Sequence, residues 1–271
     1  MLEGKSIESI SSKIKSHELK SEDVVKFFLD KIKRYNKDLN AIVSLRDETE
    51  IISEAKEKDR SIDNGNEIGL LHGMPLAIKD ITDVKELPTS FGCKEYKNNF
   101  PDEDSIISER LKKEGAIIIG KTNTTELAYG SQTSNRLFGS THNPYDITKT
   151  AGGSSGGAAA AVSSGMLPLA DGTDMMGSVR NPAAYCNLYG FRPTPGLIPE
   201  KRTEVSDIKY PLLSTLGGIA RTPDELSIFL DAVSGRDERD PFSFDLGNTF
   251  VNASMSEEDF NEIKIGWLSN L

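Results

Sequence analysis

The sequence has little histidine, little cysteine and no long hydrophobic run. Its 271 residues include three histidines, His17, His72 and His142, and two cysteines. Cys93 and Cys186 lie far apart and form no CxxC spacing, so the pattern indicates neither a zinc site nor a disulfide framework. It favours two buried free thiols in a reducing compartment. No apolar stretch approaches the roughly 20 residues of a membrane span, and the N-terminus lacks the apolar segment of a secretory signal. We therefore expect a cytoplasmic protein that does not associate with membranes.

An excess of positive charge is also missing. The chain carries 32 lysine and arginine residues against 42 aspartate and glutamate residues, a formal net charge of -10 at pH 7. Because no basic stripe offsets this charge, the composition argues against a nucleic-acid-binding surface. Hydrophobic residues at 37% and charged residues at 27% are typical of a soluble globular protein. The length is sufficient for one large domain or two small ones.

Three amphipathic helices are predicted near the N-terminus. Ile7, Ile10 and Ile14 have helical spacing, and "ETEIISEAKEKDRSIDNGN" predicts a polar helix that ends near Asn64. Between them, "SEDVVKFFLDKIKRYN" begins with Ser21 as a capping residue. Its apolar face comprises Val24, Val25, Phe28, Leu29 and Ile32. We expect these helices to be peripheral, with their charges on solvated faces.

From His72 onward the pattern alternates between strands and helices. "GMPLAIKDI" predicts a short strand, "SIISERLKKEG" a helix ending at Gly115, and "AIIIG" a buried strand. Strand, helix and strand in this order predict a βαβ crossover and a parallel or mixed sheet. Further along, "AAAAV" predicts a helix and "MLPLA" and "IKIGWL" predict strands. "TPDELSIFLDAVSG" predicts a helix with Thr222 as N-cap and Pro223 in its first turn.

Two Gly/Ser clusters lie within residues 151–196, in "GGSSGG" and "GTDMMGS". Both are typical of backbone turns that expose a hydroxyl group. No lysine followed by serine or threonine closes a phosphate-binding pattern in either cluster, which argues against phosphate binding. The turns then either serve close packing or place a serine hydroxyl where a substrate can reach it. Ser154 and Ser178 are the candidates. A serine nucleophile needs a base, and histidine is scarce in this chain.

Lys79 is the candidate base. It follows Leu76, Ala77 and Ile78 in a strand that has a buried pattern, and lysine is rarely buried without a partner or a function. One interpretation is structural, with Lys79 at the strand end, paired with Asp80 and reaching solvent. The other is functional: loss of solvent lowers the pKa of the amine, so that its neutral form can accept a proton.

Taken together, these motifs resemble the amidase-signature hydrolases. "GGSSGG", "GTDMMGS", "VRNPAAYCN" and "GFRPTPG" are similar to the family's signature, and "GMPLAIKD", "EGAIIIGKTNTTELAYGS" and "HNPYD" fit it in the same order. The resemblance runs from about residue 5 to the C-terminus. It implies an α/β fold, an α/β/α sandwich with a mixed central sheet. We expect a single domain over residues 1–271, with peripheral helices in 1–66 and a catalytic core in 67–271 that is incomplete at its C-terminus.

The resemblance also implies a catalytic triad in which the middle serine follows a cis peptide bond. By position, Ser178 is the nucleophile, Ser154 the bridging serine and Lys79 the base, while Ser155 only supports the turn. The implied reaction hydrolyses a small-molecule amide through an acyl-enzyme, with no metal and no cofactor.

Backbone N–H groups of Met175, Met176 and Gly177, together with that of Ser178, are the oxyanion donors that the resemblance implies. The commonest family pattern has glycine at the position of Met176. We expect the site to be intact if the backbone angles there suit a non-glycine residue, and we expect the methionine to line or narrow the substrate pocket.

Two further groups follow from the resemblance. Tyr129, Gly130 and Ser131 align with a segment that commonly lines the acyl pocket. Asp174 and Arg180 match positions that brace the catalytic loop as an ion pair, and the alternative is a simple surface pair. His142 is interpreted as structural.

Two alternatives to a stand-alone amidase remain open. One is the glutamine-hydrolysing subunit of a tRNA-dependent amidotransferase, and the other is an inactive fragment or interaction module. Family members usually continue well beyond "IKIGWL". We therefore expect this chain either to be part of a longer or two-piece protein or to cover exposed surface by forming a homo-oligomer.

Overall fold

The computed structural model describes residues 2–201, 213–247, 250–251, 261–264 and 266. Within these ranges the helices are α1 (Ile7–Lys15), α2 (Ser21–Leu39), α3 (Glu48–Asp63), α4 (Ile106–Lys113), α5 (Gly156–Ser163), α6 (Arg180–Tyr185) and α7 (Pro223–Val233). The strands are β1 (Ile42–Val43), β2 (Pro75–Lys79), β3 (Ile117–Thr122), β4 (Ser134–Asn135), β5 (Gly139–Ser140), β6 (His142–Asn143), β7 (Asp146–Thr150), β8 (Ala170–Asp174), β9 (Tyr189–Phe191) and β10 (Thr215–Ala220).

The three predicted N-terminal helices are confirmed as α1, α2 and α3. Ile7, Ile10 and Ile14 are all buried on one face of α1, which is the face that their spacing predicts. The predicted apolar face of α2 is buried as well: Val24, Val25, Phe28, Leu29 and Ile32. Burial of these faces, rather than local propensity alone, stabilises the helices.

The prediction that Ser21 caps α2 is wrong. The capping residue is Lys20, whose side chain makes no capping bond, and Ser21 is the first helical residue. The carboxylate of Asp59 in α3 instead accepts hydrogen bonds from the backbone N–H groups of Ser21 and Glu22, at 2.6 and 3.2 Å. The Ser21 hydroxyl is turned toward Gly73: a Cβ atom built on that glycine would lie 2.3 Å from it. The helix end is therefore satisfied by a tertiary contact.

Strands β2 and β3 run parallel, with α4 between them in sequence, which confirms the predicted βαβ unit. Strand β1 joins the other side of β3 in the antiparallel direction, so this sheet is mixed. A second sheet has the order β8-β10-β9 and is antiparallel. The two sheets meet where β2 lies beside β8.

Helices cover both faces of the β2–β3 sheet. Leu76 and Ile78 belong to a buried cluster with residues of α1, α4 and α7, whereas Ala77, which points the other way, belongs to a cluster with residues of α3 and α5. Helix α2 contributes residues to both clusters. Strand residues alternate between faces, so each face of β2 contributes to its own hydrophobic core. This layering confirms the predicted α/β fold with helices on both sides of a mixed sheet.

The strand predicted in "MLPLA" is displaced along the chain. Met166, Leu167 and Leu169 are buried, but the strand is Ala170–Asp174. The N–H groups of Met166 and Leu167 donate back to the carbonyl of Ala161 at the end of α5, so they are not available to a sheet. The apolar run is thus a buried turn, and strand β8 has the more polar sequence ADGTD.

Helix α7 matches its prediction closely. The Thr222 hydroxyl accepts a hydrogen bond from the Glu225 backbone N–H, Pro223 opens the helix, and Gly235 follows its end with a φ of 109°. Half of the strand predicted in "IKIGWL", residues 263–268, lies outside the described residues, and the three described residues, Ile263, Lys264 and Gly266, are not in a strand.

Both cysteines are buried free thiols, as the sequence predicts. Over the part of the chain that the structure describes, no helix combines the length and the hydropathy needed to cross a membrane.

Replacing the tertiary cap tests this account of α2. Asp59→Ala removes the acceptor for two N–H groups, so we expect the free energy of unfolding to fall by about 1 kcal/mol. Ser21→Ala is the matched control. It removes a buried hydroxyl that has no hydrogen-bond partner among the described residues, so we expect stability to be unchanged or higher. Chemical denaturation of both variants measures the difference, and a larger loss for Ser21→Ala would contradict the assignment.

Candidate active site

A cavity of about 420 Å³ contains both candidate serines in its wall. Ser154 lies in the turn that precedes α5, and Ser178 lies in the turn between β8 and α6. The other predicted site residues in its wall are Tyr129, Gly130, Ser131, Met175 and Met176. The fold therefore brings together three segments that are separate in sequence.

Lys79 ends strand β2 beneath this cavity and is fully buried, with 0% of its surface exposed. Its Nζ atom donates to Ser154 Oγ and to Thr173 Oγ1, each at 2.8 Å. Burial lowers the pKa of Lys79 to about 7, while the negative charges of Asp171 and Asp174 act in the opposite direction. A large fraction of the amine is consequently neutral near physiological pH.

The structural interpretation of Lys79 is not what the fold shows, because its amine neither reaches solvent nor bonds Asp80. The Asp80 carboxylate accepts hydrogen bonds from the backbone N–H groups of Ser90 and Gly92 and from the Ser90 hydroxyl. Asp80 follows the last residue of β2, and its carboxylate bonds to the Ser90–Gly92 segment instead of the Lys79 amine.

Ser154 is almost completely buried, and the Gly153–Ser154 peptide bond is cis. Its hydroxyl contacts Lys79, and its carbonyl accepts a hydrogen bond from the Thr133 hydroxyl at 3.2 Å. The turn is packed closely against its surroundings: a Cβ atom on Gly157 would lie 2.3 Å from the backbone nitrogen of Asn123. Glycine is required there by this close approach.

Ser178 is half-buried and borders the cavity. Its carbonyl accepts a hydrogen bond from the Ser155 N–H at 3.1 Å, which ties the two turns together. Its hydroxyl makes no hydrogen bond to any residue that the structure describes. The hydroxyl of Ser155 is buried and also has no partner within that part of the chain, so the contact of Ser155 to the other turn is through its backbone.

Asp174 organises the turn that carries Ser178. Its buried carboxylate accepts two hydrogen bonds from the Arg180 guanidinium, at 2.9 and 3.0 Å, and others from the backbone N–H groups of Gly177, Val179 and Arg180. Burial opposes ionisation of Asp174, but these donors outweigh it and lower the pKa to about 2. Because the carboxylate of this pair is fully buried, we propose that the pair braces the loop, in place of the alternative of a simple surface pair.

The backbone donors of this turn differ from the expectation in one respect. The N–H of Gly177 donates to Asp174 at 2.7 Å, so it has no free proton for an oxyanion. The N–H groups of Met175, Met176 and Ser178 bond to no acceptor among the described residues. Gly177 has the positive φ of 105°, whereas Met176 does not lie in the left-handed region, so its backbone does not require glycine. Met176 is 83% exposed and lines the cavity.

Three polar residues near Lys79 were not predicted: Thr173, Asp171 and Lys121. Thr173 and Asp171 belong to β8. The strand was predicted in the apolar run just before β8, so these two polar residues were not recognised as strand residues. Lys121 is fully buried in β3, and its Nζ donates to the Thr82 carbonyl and the Thr89 hydroxyl. Burial lowers its pKa to about 8. Lys121 could have been predicted from the sequence, because it directly follows the apolar segment "AIIIG" just as Lys79 ends an apolar strand.

No group of three or more histidine, cysteine, aspartate or glutamate side chains within the described ranges is placed to hold a metal ion. His142 lies in β6 and does not line the cavity.

Comparison with known sequences identifies relatives over nearly the whole chain. A family model described as Amidase matches residues 23–271. An acylamidase of Rhodococcus erythropolis is 36% identical over 263 residues, which cover 97% of this chain and 54% of the relative. A glutamyl-tRNA(Gln) amidotransferase subunit of Clostridium acetobutylicum is 40% identical over 235 residues, 86% of this chain and 48% of the relative.

Comparison with solved structures finds enzymes of the same family. A bacterial aryl acylamidase of the amidase signature enzymes superposes with a TM-score of 0.83 and 33% identity, over 89% of this chain and 49% of that one. The chain thus spans about half the length of the relatives that it matches.

The hydrogen bonds and the ion pair of Asp174 in the Ser178 turn should make the free energy of unfolding depend on pH. Because the folded-state pKa of Asp174 lies below its ordinary value of 3.8, its ionised form stabilises the fold above that value, and the contribution is lost as pH falls toward 2. We expect Asp174→Asn to lower the free energy of unfolding by about 2 kcal/mol at neutral pH. The deficit relative to wild type shrinks between pH 4 and 2. Urea titrations across this range measure it. Asp38→Asn, at an exposed position, is the control, and a pH-independent deficit for Asp174→Asn would refute the brace.

Proposed function

The chain belongs to the amidase family, and we propose that it carries the catalytic residues of an enzyme that cleaves the C–N bond of a carboxamide. One observation carries the proposal: the buried Lys79 amine lies 2.8 Å from Ser154 Oγ, beneath the cavity that Ser178 borders. This arrangement supplies a base, a proton relay and a nucleophile without histidine.

The neutral form of Lys79 starts the reaction. With the amine unprotonated, the contact to Ser154 reverses, and the Ser154 hydroxyl donates its proton toward Nζ. Ser154 in turn accepts the proton of Ser178, whose oxygen attacks the carbonyl carbon of the amide. The C–N bond breaks as the proton returns through Ser154 to the leaving nitrogen, which leaves an ester on Ser178. Water then attacks this ester along the same proton path and regenerates the enzyme.

The oxyanion that forms during attack needs donors next to Ser178. We assign this role to the backbone N–H groups of Met175, Met176 and Ser178, which have no partner within the described residues. The brace at Asp174 holds their turn in place before substrate binds. Pre-arranged donors of this kind are worth about 2.7–4 kcal/mol each in a transition state.

The acyl group of the substrate would occupy the cavity beside Tyr129, Gly130 and Ser131. Met176, at a position where the commonest family pattern has glycine, also lines this cavity, and we propose that its flexible side chain narrows the substrate pocket. We propose a small-molecule amide as the substrate. Two buried free cysteines are consistent with a reducing, cytoplasmic location.

A second function has a specific observation in its favour. The 40% identity to a glutamyl-tRNA(Gln) amidotransferase subunit supports the alternative that the same residues release ammonia from glutamine within a larger assembly. Co-purification with partner proteins would favour this alternative, and hydrolysis of simple amides without a partner would favour the amidase.

The nucleophile is tested with a fluorophosphonate probe. We expect the probe to label Ser178 in the wild-type chain, because the Ser178 oxygen can displace fluoride from phosphorus once its proton is removed. Ser178→Ala should lose all labelling and keep its circular dichroism spectrum and unfolding midpoint. Mass spectrometry locates the adduct. A label on Ser155 with none on Ser178 would overturn the assignment, and a chain with no label at all would favour the inactive alternative.

The base is tested by pH. Because Lys79 must be neutral and burial lowers its pKa to about 7, the labelling rate should rise with pH through that value and then level off. Lys79→Ala should reduce the rate by about two to four orders of magnitude, whereas His142→Ala should leave it nearly unchanged. Labelling for fixed times between pH 5 and 9 measures the pH dependence of the wild-type rate and the rates of the two variants. The reverse ranking of the two variants would exclude the lysine mechanism.

A further inference from the structure

Asp171 is a buried carboxylate directly behind the candidate base. It lies in β8, opposite the end of β2, and only 1% of its surface is exposed. Its Oδ1 atom accepts a hydrogen bond from the backbone N–H of Lys79 at 2.9 Å. Its Oδ2 atom is buried and receives no hydrogen bond from any residue that the structure describes. A carboxylate that is half satisfied in the protein interior is costly, which calls for an explanation.

The surroundings of Asp171 contain two buried amines, Lys79 in β2 and Lys121 in β3. Neither forms an ion pair with it in the described part of the chain, yet both charges act on it. Burial raises the pKa of Asp171 to about 6, and the Lys79 N–H and the two lysine charges oppose this rise. The effect is mutual. Burial lowers the pKa of Lys79, and the negative charge of Asp171 is the largest of the effects that raise it.

The other charged groups around Lys79 come from the same strands. Asp174, also in β8, acts on Lys79 in the same sense as Asp171 but is engaged by Arg180. Asp80 follows Lys79 in the chain and bonds to Ser90 and Gly92 instead. Helix α5, which packs on β2, contributes only uncharged residues, Gly156–Ser163. Asp171 is therefore the carboxylate with both an unengaged oxygen and a direct bond to the base's own backbone.

We propose that Asp171 is a positioning residue for Lys79: its carboxylate holds the backbone at the end of β2 and places a negative charge behind the buried amine. This inference rests on the proposed function, since it concerns the base of that reaction. The hydrogen bond goes to the backbone and not to Nζ, so the amine keeps its contacts to Ser154 and Thr173. The charge influences the proton on Nζ without competing for it.

The test variant removes the negative charge of Asp171 and keeps the shape of its side chain. Asp171→Asn retains an oxygen that can accept the Lys79 N–H but removes the negative charge. We expect the midpoint of the pH–rate profile for fluorophosphonate labelling of Ser178 to move to lower pH by about one unit. Because the pKa of Asp171 is itself about 6, its charge is present in wild type only toward and above that value, so the excess of the variant's labelling rate should be largest between the two pKa values, at most about tenfold, and should disappear at lower pH. A midpoint unchanged from wild type would overturn the proposal, because a purely structural role would alter the plateau or the stability alone.

Asp80→Asn is the matched control. It also removes a buried carboxylate next to Lys79 in sequence, but one that faces away from the amine. We expect its midpoint to stay at the wild-type value. An equal shift in both variants would show a general charge effect and would also overturn the specific role of Asp171.

A second measurement applies whether or not Asp171→Asn folds. Coupled groups shift each other's titration, so removing the Lys79 charge in Lys79→Met should raise the pKa of Asp171, read from its ¹³C-carboxyl chemical shift. No change in that titration would contradict the coupling. If the labelling rate of Lys79→Met equals the wild-type rate at every pH, Lys79 is not the base and the proposed function fails. If Lys79→Met is labelled slowly but the pH–rate midpoint of Asp171→Asn is unchanged, only the role of Asp171 is rejected.

Discussion

Removal of water from one amine is the constraint on which the rest of the site depends. A lysine that is charged in solution becomes a useful base near neutral pH only when burial disfavours its ammonium form. Lys79 meets this condition because β2 is covered by helices on both faces and flanked by β3 and β8. The two hydroxyls that contact its Nζ satisfy the amine without adding a charge. A direct carboxylate partner would have held the proton in place.

The second requirement is that two separate turns keep their positions relative to this amine. The Ser155 N–H donates to the Ser178 carbonyl, and the Asp174 carboxylate accepts hydrogen bonds from three backbone N–H groups and the Arg180 guanidinium. The Arg192 guanidinium forms a second ion pair with it at 3.6 Å. These contacts are made before any substrate arrives, so little rearrangement is needed when charge develops. The relatives of this chain include both an acylamidase and a glutamyl-tRNA(Gln) amidotransferase subunit. The proposed site is compatible with either activity.

Much of the architecture, and the segments that form the candidate site, could be predicted from sequence. Helical spacing located α1 and α2, and the order of apolar segments indicated the βαβ unit, because these patterns reflect burial of one face or one strand. Lys79, Ser154 and Ser178 were identified from their motifs, and the cavity brings the two serines together above the lysine. Local pattern was misleading where a side chain has a distant partner: Ser21 resembles a cap, but Asp59 from another helix makes the bonds.

By itself, the sequence determined which residue types are available: a chain poor in histidine, with lysines at the ends of apolar strands and serines in glycine-rich turns. Only the tertiary structure decided which of these groups lose solvent and which partners they meet. Lys121 has the same local pattern as Lys79, yet its amine bonds Thr82 and Thr89 rather than a serine of the cavity. Asp171 follows a buried run and carries no motif of its own. Its place behind Lys79 exists because β8 lies beside β2, more than ninety residues away in the chain, and the pKa of a group depends on neighbours in space, not in sequence.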